Sequence, residues 1–100
     1  MAYISDDRVF EEQAACRRIL QKLNFMDRSD FAGIAQVVKE LFGKSENAWV
    51  NPPFYCDYGT HIEAGKNLFV NYNCTIIDVA KVTIGDNVWI GGNSVICPGV

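Results

Sequence analysis

The feature that most constrains the fold is a six-residue period in the last part of the chain. Ile84, Ile90 and Ile96 recur every six residues, a spacing that fits neither the 3.6-residue period of an α-helix nor the two-residue alternation of an isolated strand. A small or β-branched residue follows each of them by four positions: Val88, Ser94 and Val100. A constant period of six is typical of the repeats that build parallel β-helices. The repeat therefore predicts short strands whose aliphatic side chains stack inside a prism.

The same period is present upstream. Two additional residues, Val82 and Thr83, shift the register before the last set of hexads begins. Six hexads are expected to form two coils, a coil being one circuit around the three faces of the prism. The upstream hexads begin at Ala64, Val70 and Ile76.

Glycine positions leave one alternative fold open. Gly85 and Gly91 are predicted to lie where a bend or a close approach of backbone excludes a Cβ atom. The alternative is a pair of antiparallel hairpins with turns at Gly85 and Gly91. Hairpins would not explain the constant period, so the β-helix is favoured.

A helical segment is predicted before the repeat. Apolar residues keep a helical spacing from Asp6 or Asp7 to Leu23, and again over residues 29–42. The polar residues 44–51 are predicted to form a loop, and Pro52 and Pro53 a joint. We therefore divide the chain into an N-terminal helical segment, 1–51, and a partial β-helix, 52–100.

Composition excludes several classes of function. The net charge is -3, and the 9 Lys and Arg residues form no basic run, which argues against nucleic acid as a partner. No segment has the length of a membrane span, and the N-terminus is too polar for a signal peptide, so we predict a cytoplasmic protein without a membrane partner. The 4 cysteines include no C-x-x-C pair and there is 1 histidine. We therefore expect no metal cofactor and buried, reduced thiols.

Polar residues interrupt the apolar repeat at four places: Asp57, Asn71, Asn73 and Asp78. An asparagine can occupy a hexad for backbone reasons alone, because it tolerates the left-handed region. Clustering favours a second interpretation, in which several of these side chains share one edge of the prism and form a site. Both interpretations stay open on the residues alone.

Four motifs carry a resemblance to a known family. Residues 52–59 (Pro-Pro-Phe-Tyr-Cys-Asp-Tyr-Gly), 71–79, 82–87 (Val-Thr-Ile-Gly-Asp-Asn) and 88–92 (Val-Trp-Ile-Gly-Gly) resemble the maltose and galactoside O-acetyltransferases. These hexapeptide-repeat enzymes move an acetyl group from acetyl-CoA to a sugar hydroxyl. The resemblance implies a mainly β protein, a left-handed parallel β-helix preceded by a small helical segment. It also implies acetyl-CoA as co-substrate, a small-molecule sugar acceptor and a homotrimer with active sites between subunits.

The resemblance also implies roles for individual residues. Asn71 matches the active-site asparagine and is the predicted catalytic residue. Trp89 and Gly92 match the segment that lines the channel for the pantetheine arm of acetyl-CoA. The predicted acceptor-binding residues are Asp57, Asp78, Tyr58 and Phe69, the last two as apolar walls for a sugar ring.

The family's catalytic base has no counterpart in this chain. Removing the proton from a sugar hydroxyl needs a base, and histidine is the usual choice near neutral pH. The family places it in a Thr-His-Pro-like loop that is absent here, so we predict that coils are missing between Ala80 and Val88. His61 lies upstream and is predicted to be an exposed or satisfied residue beside a turn. Two functions follow: a sugar O-acetyltransferase, whose activity without that loop stays open, or a non-catalytic hexapeptide-repeat oligomerisation or interaction module.

Overall fold

The computed structural model describes residues 7–98. Two helices come first, α1 (Asp7–Asn24) and α2 (Phe31–Leu41), close to the bounds predicted from the sequence. Asp30 caps α2 by accepting a hydrogen bond from the backbone N–H of Gly33 (3.0 Å). The strands that follow are β1 (Lys44–Glu46), β2 (Trp49–Val50), β3 (Phe54–Cys56), β4 (Ile62–Lys66), β5 (Phe69–Val70), β6 (Cys74–Ile76), β7 (Val82–Ile84), β8 (Trp89–Ile90) and β9 (Val95–Ile96).

The strands form three parallel sheets, one for each face of a prism. Their orders are β1-β4-β7, β2-β5-β8 and β3-β6-β9. Paired residues lie 20 positions apart, as Ile62 and Val82 do. The chain therefore completes three coils, β1–β3, β4–β6 and β7–β9, in a parallel β-helix.

The prediction of two coils and of a loop over residues 44–51 was wrong. β1 and β2 lie in that segment and pair in parallel with β4 and β5. These strands have three and two residues, too short for a polar stretch to display a period. The division of the chain at residue 51 into two folding units stays a prediction.

The register and glycine expectations also need correction. Val82 and Thr83 are not additional residues between hexads, since they belong to β7 and pair with β4 in the first sheet. The residues that connect β6 to β7 are 77–81, and they form the longer corner of this coil. Gly85 and Gly91 have open space around them. The close approach occurs at Gly65, where a Cβ would lie 2.1 Å from Asp86 Oδ1.

The aliphatic side chains of the repeat point inward, as the period predicted. Each buried aliphatic side chain contributes about 1.5–3 kcal/mol relative to its exposed state. Ala80 departs from the pattern because it lies at the longer corner and is exposed. The buried repeat residues are Ala64, Leu68, Val70, Cys74, Ile76 and Ile90.

The two helices cover the end of the prism formed by the first coil. The rings of Phe42 and Phe54 meet edge to face, with centroids 5.8 Å apart. Asn24, at the end of α1, donates to the carbonyl oxygen of Phe54 and accepts from its N–H, both at 2.9 Å. This side chain occupies the place of a neighbouring strand, so the β3 edge has partners on both sides.

Asparagines form a ladder along one corner of the prism. Asn47, Asn67 and Asn87 have φ values of 59°, 60° and 56°, in the left-handed region that asparagine tolerates better than most residues. The side chain of Asn47 donates to that of Asn67 (2.8 Å), which donates to that of Asn87 (3.1 Å). Of the two asparagines for which a turn was considered, Asn73 also has a positive φ, of 60°, so the turn interpretation is confirmed for Asn73.

Asn67→Ala is expected to lower the free energy of unfolding by about 2 kcal/mol. Alanine is strained in the left-handed backbone conformation, and the substitution also removes both ladder hydrogen bonds. Asn67→Gly is the control, because glycine adopts a positive φ freely and loses only the hydrogen bonds. Urea unfolding of the two variants measures the difference, and equal losses would contradict a contribution from the backbone conformation.

Candidate functional site

The predicted site residues fall into two groups on different edges of the prism. The first group is defined by Phe69, Asn71, Trp89 and Gly92, which lie on or just after β5 and β8. The backbone N–H of Asn71 donates to the carbonyl oxygen of Ile90 (2.9 Å), which joins the two coils at this edge. The second group, Asp57, Tyr58 and Asp78, follows β3 and β6. The sheet β3-β6-β9 separates the two groups, so one chain does not bring all seven residues together.

Outward-facing aromatic rings dominate the first group. Phe69 pairs in register with Trp89, and their ring centroids lie 5.0 Å apart. The Trp89 side chain is 79% exposed, so one face of an aromatic platform is open to a ligand. Trp49 is in register with Phe69 on the other side and was missed from the sequence. The common spacing of 20 residues among these three aromatics was the signal that could have found it.

Asn71 presents its amide group at the end of the aromatic platform. Its Oδ1 accepts a hydrogen bond from the backbone N–H of Tyr72 (2.8 Å). This bond directs Nδ2 away from the backbone, and Nδ2 makes no hydrogen bond within residues 7–98. The half-buried side chain therefore has a donor available for a bound molecule.

Asp78 organises the second group from inside the prism. Its side chain is 0% exposed, and its carboxylate accepts from the backbone N–H groups of Asp57 (2.8 Å), Tyr58 (3.0 Å) and Gly59 (2.8 Å). Gly59 has a φ of 73°, which glycine adopts without strain. These contacts fix the turn that presents Asp57. A contact between Asp78 and an acceptor stays a prediction.

Asp57 carries an unsatisfied oxygen at this turn. Its Oδ2 is buried and has no hydrogen-bond partner within the described residues. Burial raises the pKa of this carboxyl, and the neighbouring Asp78 carboxylate raises it further, while Arg17 and His61 act in the opposite direction. A hydroxyl donor placed here would satisfy the oxygen.

Asp57→Asn is expected to raise the melting temperature by a few degrees at pH 7. Because the native pKa is raised, the native state binds the proton more tightly than the unfolded chain does. Stability therefore falls as pH rises from the unfolded pKa through the native pKa. The gain in melting temperature should disappear near pH 3, where the Asp57 carboxyl is protonated in both the native and the unfolded state. Thermal unfolding monitored by circular dichroism at several pH values tests this.

Asp27→Asn is the control with the opposite sign. Hydrogen bonds from Ser29 to the exposed Asp27 carboxylate lower its pKa. The stability that the Asp27 carboxylate contributes is fully present above its pKa in the unfolded chain, and it is lost as the pH falls through its pKa in the native state. Asp27→Asn should therefore lower the melting temperature slightly at pH 7. A gain of equal size in both variants would show that the general loss of a negative charge is responsible.

Tyr58 and His61 pack against each other beside the turn. Their rings stack with centroids 4.2 Å apart and planes 24° from parallel. His61 Nδ1 lies 2.7 Å from the carbonyl oxygen of Asp78 and 3.1 Å from that of Val79. Carbonyl oxygens only accept, so Nδ1 carries the proton and Nε2 is the acceptor in the neutral ring. The expectation of a satisfied histidine beside a turn is confirmed. Tyr58 itself is buried, and its contact with a sugar stays a prediction.

No group of three or more His, Cys, Asp and Glu side chains among residues 7–98 is arranged to hold a metal ion. In the same range, neither helix is long and apolar enough to cross a membrane.

Comparison with known proteins identifies the family, although no protein-family model matches the chain. The galactoside O-acetyltransferase of Escherichia coli is 39% identical over 84 residues, which cover 83% of this chain and 41% of that protein. A crystal structure of galactoside acetyltransferase in complex with coenzyme A superposes with a TM-score of 0.89 at 35% identity, over 93% of this chain and 47% of that chain. The chain is a relative of the galactoside O-acetyltransferases. This relationship confirms the family resemblance and the left-handed parallel β-helix predicted from it.

A third comparison concerns the length of the chain between its motifs. A candidate acetyltransferase of Saccharomyces cerevisiae is 45% identical over 118 residues, which are 60% of that protein and align with 81% of this 100-residue chain. That relative therefore has residues within the aligned region that this chain lacks. The Escherichia coli relative aligns 84 residues with 83% of the chain, without such an excess, so the internal shortening stays a prediction. The chain spans about half the length of the curated relatives it matches.

Proposed function

We propose that this chain has the scaffold of an acetyl-CoA-dependent O-acetyltransferase whose acceptor is a sugar hydroxyl. It transfers the acetyl group slowly, because the catalytic histidine loop is absent. The observation that carries the proposal is the fit of nearly the whole chain to a galactoside acetyltransferase bound to coenzyme A. Acetyl transfer requires a site for the thioester, a site for the acceptor, donors for the developing oxyanion and a base. The residues of the two groups supply the first three.

The first group is suited to the acetyl-CoA side. The open ring of Trp89, resting on Phe69, offers an apolar surface to the pantetheine arm. A Cβ at Gly92 would make an ordinary van der Waals contact, 3.4 Å from the carbonyl oxygen of Tyr72, so the contribution of Gly92 to this side rests on its match to the family's channel segment. The amide Nδ2 of Asn71, whose Oδ1 is held by the Tyr72 N–H, would donate to the oxyanion that forms when the thioester is attacked. Removing one such donor costs about 10²–10³ in kcat in other enzymes.

The second group is suited to the acceptor side. Asp57 Oδ2 lacks a donor that a sugar hydroxyl would supply. Because this group and Asn71 lie on different edges of the prism, a complete site requires that one chain's acceptor side meet another chain's acetyl-CoA side. A homotrimer with sites between subunits satisfies that requirement. We further propose a cytoplasmic location, where acetyl-CoA is available.

The base is the missing component. His61 lies beside the second group, with its Nδ1 held by two carbonyl oxygens. No other histidine occurs in the sequence. General-base catalysis contributes about 10²–10⁴ to the rate. We therefore expect transfer to be slower than that of a full-length relative by about this factor.

The test is release of free coenzyme A from acetyl-CoA in the presence of maltose or an alkyl galactoside. We expect detectable coenzyme A binding by calorimetry and slow, acceptor-dependent thiol release. Asn71→Ala should lower the rate far more than it lowers the melting temperature. Asn73→Gly is the matched control, because it changes an asparagine of the same hexad and keeps the positive φ at that position.

Three outcomes would contradict parts of the proposal. Turnover at the rate of a full-length relative would refute the need for the missing base. Failure to bind coenzyme A would refute the enzyme scaffold. Parallel losses of rate and stability in Asn71→Ala would assign Asn71 a structural role.

A non-catalytic interaction module is the second candidate, favoured by the asymmetry of the prism. The helices cover the β3 edge of the first coil, whereas β7, β8 and β9 each pair with a strand on one side only within residues 7–98. An exposed row of edge strands can pair with another chain. Light scattering separates the candidates: assembly without coenzyme A binding supports the module, and coenzyme A binding supports the enzyme.

A further inference from the structure

Two thiols that the proposed function does not use meet between the helical segment and the prism. Cys16 belongs to α1 and Cys56 to β3, and their Sγ atoms lie 3.6 Å apart. The residues are 40 positions apart in sequence. Both are free thiols, and Cys16 Sγ also lies 3.7 Å from the carbonyl oxygen of Cys56. No other described pair of cysteines is in contact.

Each of the two thiols belongs to the lining of a different cleft. Cys56 is half-buried and lines a cleft of about 600 Å³ together with Arg17 and Tyr55. Cys16 is 2% exposed, but it lines a second cleft, of about 330 Å³, between α1 and Tyr58. An oxidant of the size of hydrogen peroxide fits either cleft.

We propose that Cys16 and Cys56 form a reversible disulfide that ties α1 to the first coil of the prism. A disulfide bond is about 2.0 Å long, so the sulfur atoms must approach each other by about 1.5 Å. The two sulfur atoms are already neighbours at 3.6 Å, so the movement required is short. Because the cross-link would close a segment of 40 residues, it would restrict the unfolded chain considerably.

The electrostatics of the pair assigns the two chemical roles. Hydrogen bonding between the two thiols, in which either can donate, lowers the pKa of Cys16 and raises the pKa of Cys56, which burial raises further. Cys16 is therefore the nucleophile, since the thiolate is the reactive form. It attacks a hydroperoxide at oxygen, which gives a sulfenic acid and releases an alcohol, or water from hydrogen peroxide. The Cys56 sulfur then attacks the sulfenic sulfur, forms the S–S bond and expels water.

The other two cysteines provide matched controls. Cys74 is buried, and its thiol lies 3.1 Å from the carbonyl oxygen of Gly91 with no sulfur nearby. Cys97 is exposed, contrary to the expectation that all the thiols are buried, and would form cross-links between chains. Cys97→Ser is therefore the background in which the pair is tested.

The experiment is titration of Cys97→Ser with hydrogen peroxide, followed by non-reducing peptide mapping. We expect a cross-linked peptide that contains Cys16 and Cys56, with loss of two hydrogen atoms from the intact mass. The oxidised chain should melt about 10 °C higher than the reduced chain, and dithiothreitol should reverse both changes. Cys74→Ser in the same background should oxidise in the same way, whereas Cys16→Ser and Cys56→Ser should form no internal cross-link.

The proposal is overturned if Cys16 is converted to sulfinic acid while Cys56 stays reduced, or if the cross-link forms without a rise in melting temperature. Circular dichroism of the reduced serine variants establishes that they fold. If Cys16→Ser does not, Cys16→Ala serves in its place, because it leaves no polar hydroxyl at a buried position. None of these measurements requires acetyl transfer, so they stand apart from the test of the proposed function.

Discussion

Asp78→Ala is expected to lower the free energy of unfolding by about 3–5 kcal/mol. The carboxylate accepts hydrogen bonds from three consecutive backbone N–H groups of the coil below, those of Asp57, Tyr58 and Gly59. Hydrogen bonds to charged groups contribute about 1.5–3 kcal/mol each, and a buried donor left without a partner costs about 1–3 kcal/mol. Water entering the site would recover part of this. A domain of this size has about 5–15 kcal/mol in total, so the variant is expected to be near its unfolding threshold.

Asp86→Ala is the matched control for Asp78→Ala. Asp86 also accepts from the backbone of the coil below, through a single bond from the N–H of Lys66 (2.7 Å), but it is exposed. Its removal should cost about 1 kcal/mol, because water can replace the lost acceptor. Urea unfolding followed by circular dichroism measures both losses. Similar losses in the two variants would show that burial of the carboxylate is unimportant.

Asp78→Asn separates the shape of the side chain from its charge. Asparagine keeps one acceptor oxygen but turns an N–H₂ group towards a backbone donor. We expect an intermediate loss, larger than that of Asp86→Ala. Asp57 and Tyr58 donate to one carboxylate oxygen and Gly59 donates to the other. An unchanged unfolding curve would therefore mean that the Gly59 N–H does not depend on its carboxylate oxygen.

The interior of the prism could be predicted from the sequence because it depends on a local rule. A hexad places an aliphatic residue at its first position, and Val70 and Ile76 are fully buried as that rule requires. The helices could be predicted equally well, since their apolar spacing and the capping residue Asp30 are local signals. Such features need no knowledge of which residues meet across coils.

The first coil could not be predicted from hexads. β2 has two residues, and the outward one is a tryptophan, so no alternation was visible around Trp49. The signal for this coil is a recurrence of residues at a larger separation in the sequence than six. Asn47, Asn67 and Asn87 recur every 20 residues, and this spacing gives the length of a coil directly. A search for a period of 20 would have located β1 and β2.

The grouping of the site residues also depended on the length of a coil. Asp57 and Asp78 were singled out for one site, and the structure does place them at one corner of adjacent coils. The sequence did not indicate that Asp78 points inward and holds the turn of Asp57, because its partners are backbone N–H groups rather than recognisable side chains. Asn71 and Trp89 lie at another edge because each coil is 20 residues long, the separation that also pairs Phe69 with Trp89.

Phe54→Ala is expected to lower the free energy of unfolding by about 3–5 kcal/mol, the range for Phe-to-Ala changes in cores. Phe54 is 0% exposed, and its ring meets Phe42 edge to face. Its backbone is also held by Asn24 on both sides of the residue. Phe54 is thus the residue at which the helical cap and the first coil share one core. Removing the ring leaves a cavity that the rigid coil cannot fill by moving.

Tyr55→Ala tests the neighbouring position on the same strand. Tyr55 points outward and is 47% exposed, so its loss should cost about 1 kcal/mol or less. Hydrogen exchange adds a spatial readout. In Phe54→Ala, amide protection should fall first in α2, which packs on the first coil, and last in β4–β6, which lie between two other coils. Uniform loss of protection across α2 and β4–β6 would mean that the cap and the prism unfold as one unit, and that Phe54 is an ordinary core residue rather than the joint between them.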